Sequence, residues 1–429
     1  MKTYKSLWVT LGSVLLCSSA LPLNSNAGPL VSVGDQVDVF FNGSSSLRWT
    51  SNVFSDPSDE SEDIVKSFTP GFDINVGRGL SDASLGITTR YEILRYDDLK
   101  GLDTELFRAR ANGVYQSTRL DLNGHIAFSE NQSATENQAA VGDENQLNGL
   151  IENETVSGKL AGEYRTSPKF SFGAAVDYTD KVYTNEGKYY EDNLADIETV
   201  SIPVDVFYEL TPKADLSAGY KYETREVGGI AVRAEGDDLV LRESTGYETE
   251  SHFFNIGARG QLMPKLTGFF KVGYSIRESG DSSVVARRRG ENNVSIETRS
   301  ETNRKDRGLL ALDADFSWTV SPKLNVRTKM SRRFGVGSEG DATEISRIRT
   351  DVSYSINTDW SASANAGYTN RDYENDRVDD QYSLGASLSF RPNQYWFLSS
   401  GYNYIENDSN QDGRGFKNHI FTLSASLRY

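Results

Sequence analysis

The stretch that decides the fold is "LLALDADFSWTVSPKLNVRTKMSRRF", residues 309–334. Apolar and polar residues alternate on both sides of one interruption, Ser321-Pro322-Lys323. A period of two puts Leu310, Leu312, Phe316 and Trp318 on one face and Asp313 and Asp315 on the other. Pro fits a tight turn and cannot continue a strand ladder, so "SPK" reads as a hairpin. After it, Leu324, Val326 and Met330 alternate with Arg327 and Lys329. "TSPKF" (166–170), "LTPKADL" (210–216) and "LMPKLTG" (262–268) repeat the arrangement. Pro168, Pro212, Pro264 and Pro322 are spaced by 44, 52 and 58 residues. That variation excludes a solenoid of fixed repeat.

The same alternation predicts about eighteen strands of roughly 11–17 residues from residue 39 to the end, with sixteen as the alternative count. Strands of soluble sandwiches are shorter, at about 5–6 residues, whereas a tilted strand needs about 9–11 to cross an apolar slab. The connections fall into two sets. One is tight, as in the Pro-Lys turns. The other is long and polar, as in "SDPSDESED" (55–63), 130–149, 228–246 and 279–305. Short turns at one end and long loops at the other describe an all-β, antiparallel up-and-down barrel of the outer-membrane type. Aromatics gather near the tight turns (Phe170, Trp318, Trp360, Phe390, Trp396, Tyr429), as an interfacial girdle would. Composition agrees: 37% hydrophobic residues is low, yet 22 Tyr, 20 Phe and 37 Gly accompany only 10 Pro.

Residues 1–27 read as a signal peptide, with a basic "MKTYK", an apolar 7–21 and "SNA" before Gly28. The barrel is then expected over 28–429. Cys17, the sole cysteine, lies in the leader and follows Leu16, where a lipoprotein signal needs a small residue. Loss of the leader removes Lys2 and Lys5 and no acid, taking the formal charge from −16 to about −18. So acidic an exported chain is not a nucleic-acid binder.

If the apolar faces meet lipid, their neighbours face a lumen. The candidate lumen-lining residues are Arg108, Arg110, Lys221, Arg225, Arg259, Lys271, Arg327, Lys329, Arg347, Arg349, Asp313 and Asp315. Inward cations outnumber inward acids by this reading, which favours an anionic or highly hydroxylated polymer. The competing reading pairs them across strands within a wide barrel. "DSNQDG" (408–413) opens like a calcium loop, but His419 stands where a bidentate Glu is needed, so a polar hairpin loop is the better reading. "ARRRG" (286–290) reads as a solvated cluster before a grip on lipopolysaccharide phosphates. His125, His252 and His419 show no catalytic or zinc spacing, so neither an enzyme nor a cofactor is expected.

"LRWTSNVFSD" (47–56) followed by "FTPGFDI" (68–74) resembles the opening of the β-barrel porin type 2 family. Asn52, Val53, Phe54, Pro70 and Gly71 carry the match, and Ser51 stands where the family more often has Asp. The resemblance implies an outer-membrane barrel, often encoded with exopolysaccharide assembly genes, and hence a polymer conduit with polysaccharide and periplasmic export components as partners. A diffusion porin and a structural or adhesive surface barrel are the alternatives. "TLSASLRY", with Leu423, Leu427 and Tyr429, resembles the C-terminal signal read by the barrel-assembly machinery. Outer-membrane lipids and lipopolysaccharide complete the expected partners.

Overall fold

Alternating β-branched, aromatic and small residues leave each segment one apolar and one polar face, and each becomes a strand. The computed structural model describes residues 28–34, 36–77, 82–133, 150–184, 194–234, 240–289, 295–302, 306–337 and 340–429. The leader, most of 130–149 and the side chains of 286–290 lie outside the described residues.

The chain opens with a short β1 (Val31–Val33). There follow β2 (Val37–Thr50), β3 (Asp63–Val76), β4 (Ala83–Tyr96), β5 (Thr104–Gln116), β6 (Leu120–Ser133), β7 (Ile151–Arg165), β8 (Phe170–Tyr183), β9 (Ile197–Thr211) and β10 (Ala214–Val227). Next come β11 (Ala231–Ala234), β12 (Val240–Ser244), β13 (Tyr247–Met263), β14 (Leu266–Ser279), β15 (Ser282–Arg289) and β16 (Ser295–Thr302). The last are β17 (Arg307–Ser321), β18 (Leu324–Val336), β19 (Ala342–Ser355), β20 (Trp360–Tyr373), β21 (Val378–Phe390), β22 (Trp396–Ser409) and β23 (Phe416–Arg428).

Setting aside β1 and the four strands β11, β12, β15 and β16, every strand pairs antiparallel with its neighbours in chain order. β2 also pairs with β23, from Asn42↔Arg428 to Thr50↔Ile420. The result is a closed barrel of 18 strands. β11, β12, β15 and β16 form a separate four-stranded sheet. The connections 228–246 and 279–305 were expected as loops. They carry ribbons because cross-strand hydrogen bonding does not stop at the membrane boundary.

The apolar residues lie on the outside. Leu160, Ile256 and Leu310 are 63%, 66% and 61% exposed, while their strand neighbours Lys159, Asn255 and Leu309 are less so. Two aromatic belts frame this surface. At the short-turn end Trp360 stacks on Phe390 (4.6 Å) and Phe170 meets Tyr208 (5.2 Å). Eight residues along the same faces stand Tyr178, Tyr368, Tyr382 and Tyr404, opposite Phe170, Trp360, Phe390 and Trp396. Eight residues at about 3.3 Å rise and about 40° tilt span roughly 20 Å, close to the apolar band of such barrels.

Several tight turns share one device: a Ser, Thr or Asn side chain accepts backbone N–H groups that the turn would otherwise strand. Ser321 Oγ accepts from the backbone of Lys323 (3.3 Å) and Leu324 (3.1 Å). Ser167 serves Lys169 and Phe170, Asn357 serves Asp359 and Trp360, and Asn393 serves Tyr395 and Trp396. The Lys of the turn reaches sideways. Lys265 Nζ donates to the Val320 carbonyl (3.0 Å), and Lys323 Nζ to that of Ile356 (2.9 Å). Each such lysine ties its hairpin to the next. Gly268, at φ +147°, is required here, since a Cβ would stand 1.9 Å from the Asp315 carbonyl oxygen.

The two faces of one strand test this layout. Leu384→Arg on the outer face is expected to destabilise the barrel by about 2–4 kcal/mol, whereas Ser387→Arg on the inner face costs little. Denaturant unfolding from lipid vesicles measures both, and equal losses would contradict the assigned faces.

Candidate functional site

Contacts between strands that are not neighbours can form only across the inside of a closed barrel. Arg259 on β13 binds Glu163 on β7 through both guanidinium arms (2.6 and 2.8 Å), past the intervening β8, β9 and β10. It also meets Asp215 (2.9 Å) and stacks on the Phe207 ring (3.4 Å). Lys271 on β14 binds Asp205 on β9 (2.7 Å). These contacts fix which face of β7, β9, β13 and β14 looks inward, and alternation extends the assignment along each strand.

The other candidate residues are mostly ion-paired. Arg108 binds Glu92 (2.8 Å); Lys221 and Arg225 share Glu223 (3.0 and 2.8 Å). Arg327 grips Asp315 bidentately (2.9 and 2.8 Å), with Lys329 3.9 Å away. Arg349 binds Asp351 (2.9 Å), and Arg347 donates to Thr369 (3.2 Å). Asp313 stands opposite Lys271 in register and faces Lys221 and Arg333. Arg110 makes no hydrogen bond or ion pair among the described residues. The inward cations are therefore largely neutralised by acids that share their height in the barrel. Leu423, Leu427 and Tyr429 lie along the outer face of the closing strand. Tyr429 exchanges backbone hydrogen bonds with Phe41 across the seam (2.6 and 2.9 Å).

The interior is divided. At mid-height the ion pairs run round the wall from β4 to β19; nearer the ends Asp73 on β3 also meets Arg90 (2.7 Å) and Arg428 (3.8 Å), and Asp379 on β21 meets Arg377. Over β20–β23, β2 and β3 the inward residues at mid-height are small and neutral: Ser363, Asn365, Ser387, Asn403, Ser424 and Ser46 are representative, with Arg48 the exception. The serine pairs Ser363–Ser387 (2.7 Å), Ser399–Ser424 (2.6 Å) and Ser46–Ser67 (2.7 Å) hydrogen-bond across neighbouring strands. The sequence signal was present as the scarcity of charge within "WSASANAG" (360–367), "SLGASLSF" (383–390) and "WFLSSGYN" (396–403).

At the long-loop end the connections after β2 and β4 fold inward over the wall. Val53 and Leu102 pack with Val65, Leu94, Tyr96, Leu106 and Leu150 in one buried cluster, with Phe54 and Leu99 against it. Val65, Leu94 and Leu106 share the inward faces of Ser67, Glu92 and Arg108, so the cluster narrows the mouth from within. Asn52 is fully buried. Its Nδ2 donates to the carbonyls of Asp56 (2.7 Å) and Lys417 (3.1 Å), and its Oδ1 accepts from the Asp56 backbone (2.9 Å). Asn418 clasps the Asn52 backbone from the other side, accepting from its N–H (3.3 Å) and donating to its carbonyl (2.8 Å). The polar connection after β2 was expected over 55–63; it opens at Ser51 and so carries "NVF". Its first residues turn into the barrel, because Val53 and Phe54 find apolar partners only there. Below them, Asp63 accepts from the backbone N–H groups of Asp97 (3.1 Å) and Leu99 (2.8 Å) and holds the second loop. Among the described residues no group of three or more His, Cys, Asp or Glu could hold a metal ion. In the 408–413 loop, Asn410 bonds to the Val378 N–H (2.8 Å) and the Asp376 carbonyl (2.8 Å) and ties this loop to the neighbouring β20–β21 turn.

Replacing Asn52 tests the clasp. Asn52→Ala leaves three backbone groups without their partner, at about 1–3 kcal/mol for each that stays buried. Limited proteolysis of the intact barrel is expected to cut within 51–62 faster in the variant, and an unchanged rate would show that the clasp does not hold the lobe.

The family model described as "Putative beta-barrel porin 2" matches residues 40–286 and 300–429. No curated protein matches the chain. Among solved structures, the ferric yersiniabactin uptake receptor FyuA from Yersinia pestis is 10% identical, with a TM-score of 0.44. That alignment covers 92% of this chain and 66% of the receptor. OpdK from Pseudomonas aeruginosa, solved with vanillate, is 9% identical, with a TM-score of 0.39 over 91% of this chain and 99% of that one. A structure titled bacterial polysaccharide outer membrane secretin is 9% identical, with a TM-score of 0.32 over 93% and 99%. The closed barrel with its apolar outer face is an outer-membrane protein, and by the match from residue 40 to its last residue the chain belongs to the Putative beta-barrel porin 2 family.

Proposed function

We propose that the barrel is a pore whose cargo is an exported exopolysaccharide or a comparable hydroxylated polymer. The observation that supports the pore is the wet, ionised interior. Arg333 is solvent-exposed, yet Glu223, Arg225 and Asp313 face it from other parts of the wall. A guanidinium enclosed by protein and still in contact with solvent occupies a water-filled space, since a dry one would carry a heavy desolvation cost. Barrels of this class keep short turns in the periplasm and long loops outside, which puts the Pro-Lys hairpins inside the cell envelope and the apolar mouth cluster at the surface. A mouth narrowed by a clasped lobe suits a conduit that opens for a chain. A diffusion pore is the second reading, favoured by the neutral arc, where small side chains leave the lumen unobstructed.

The remaining partners follow from the outer surface. The aromatic belts would seat in lipid and lipopolysaccharide, and the outer face bearing Leu423, Leu427 and Tyr429 would serve the assembly machinery. Periplasmic export components would meet the short-turn rim. No residue is assigned a catalytic role.

Purified barrel in planar bilayers is expected to give stepwise ion conductance, and Val53→Ser with Phe54→Ala to raise the unit step by loosening the mouth. Absence of any step in both proteins would overturn the pore. Deleting the gene is expected to lower the polysaccharide released into the medium. Undiminished polymer would remove the export reading and leave the diffusion pore.

A further inference from the structure

A line that begins on β19 and crosses the neutral arc is visible only in the strand register. Ser355 on β19 stands opposite Ser361 on β20, and Ser361 opposite Ser389 on β21. Ser389 is opposite Ser399 on β22, Ser399 opposite Ser424 on β23, Ser424 opposite Ser46 on β2, and Ser46 opposite Ser67 on β3. Seven inward hydroxyls thus occupy one hydrogen-bonding row across seven strands, including the seam.

A row perpendicular to tilted strands does not run level. Six steps of about 4.8 Å, with strands tilted by about 40°, climb roughly 18 Å along the barrel axis. The line starts at Ser355, the last residue of β19 at the short-turn end. It ends at Ser67, in the long-loop half of β3, where the register continues to Leu94 in the mouth cluster. It is therefore a ramp that rises through most of the membrane and delivers to the narrowed mouth.

Two further observations give the ramp a ligand chemistry. Asn42 lies on the inward face of β2, four residues from Ser46, and is only 8% exposed. Its Nδ2 has no hydrogen-bond partner among the described residues, and a buried amide donor without one is costly. Aromatic rings also turn inward here, as Phe207 does in the charged arc. Phe397 stands two residues from Ser399 and opposite Ser426, and Phe40 lies two residues from Asn42 with Arg428 over its ring (4.3 Å). Each serine hydroxyl both donates and accepts, so the row can trade partners with a sliding chain of hydroxyls. Aromatic faces beside neutral hydroxyls suit sugar rings. The row itself is neutral: the cations of the opposite arc are engaged by their own acids, Arg428 lies 3.8 Å from Asp73, and Arg48, two residues from Ser46, is an inward charge beside the row.

We infer that the serine row Ser355–Ser361–Ser389–Ser399–Ser424–Ser46–Ser67, with Asn42 and Phe397 beside it, is a sliding track for a neutral polyhydroxylated saccharide. This rests on the pore reading above and narrows its cargo from anionic or hydroxylated polymers to uncharged ones. Many weak, equivalent contacts bind enough to guide and little enough to release.

The test uses the purified barrel in planar bilayers with maltohexaose and oligogalacturonate as neutral and anionic probes. Maltohexaose is expected to interrupt the current, and the triple variant Ser389→Ala, Ser399→Ala, Ser424→Ala to weaken that block about tenfold at unchanged unit conductance. Ser400→Ala, on the lipid face of the same strand, is expected to leave the block unchanged. Block by oligogalacturonate alone, or an undiminished block in the triple variant, would overturn the track. Absence of current would overturn the pore instead. Calorimetry of maltohexaose against the detergent-solubilised barrel would then still decide the track, binding lost in the triple variant supporting it and no binding to either protein refuting it.

Discussion

Lipid offers no hydrogen-bond partner to a peptide group, and this requirement shapes everything else in the molecule. A sheet satisfies it only if its first and last strands meet, as β2 and β23 do from Asn42↔Arg428 to Thr50↔Ile420. The final residue completes the seam by bonding to Phe41. Once the sheet is closed, each strand has a lipid face and a water face and the apolar content moves outward. The short turns then carry a heavy burden, because any N–H they strand lies near the membrane boundary. Ser167, Ser321, Asn357 and Asn393 answer that demand locally, and Lys265 and Lys323 pass it to the next hairpin.

The enclosed space is electrostatically divided. From β4 to β19 the wall bears arginines and lysines whose charge is met by Glu163, Asp205, Glu223 and Asp315. Buried or half-buried pairs of this kind add little net stability but hold the inner side chains in place and cancel the field. At mid-height from β20 round to β3 the wall is lined by Ser, Asn and Gly, which occupy little volume and carry no charge, with Arg48 the exception. A pore built this way is stiff and crowded on one side and smooth on the other. The mouth adds a third environment, an apolar lobe that depends on Asn52 and Asn418 for its position. Rigid wall, smooth arc and clasped lobe are three mechanically different parts of one passage.

The family motif "NVF" illustrates how function hid in plain view. As letters, Asn52, Val53 and Phe54 mark kinship. In space they are the residues that turn a surface loop back into the barrel. Similarly, the candidate cations were legible as charged residues on alternate positions, but their partners were not. Arg259 and Glu163 are 96 positions apart in the chain, and only the curvature of the wall brings them together. The short strands β11, β12, β15 and β16 escaped notice because their alternation lies outside the length expected for crossing a membrane.

What the sequence determined by itself was the strand pattern, the two classes of connection and the outward face, since all three follow from a period of two and from local turn chemistry. A residue's neighbours two positions away suffice to set them. What only the tertiary structure decided was which inward groups meet, and where. Register and closure set those, and both are properties of the whole sheet. The serine row shows the difference: each of its members sits in a different strand, unremarkable there, and becomes a continuous line only when seven strands are laid side by side and the ends are joined.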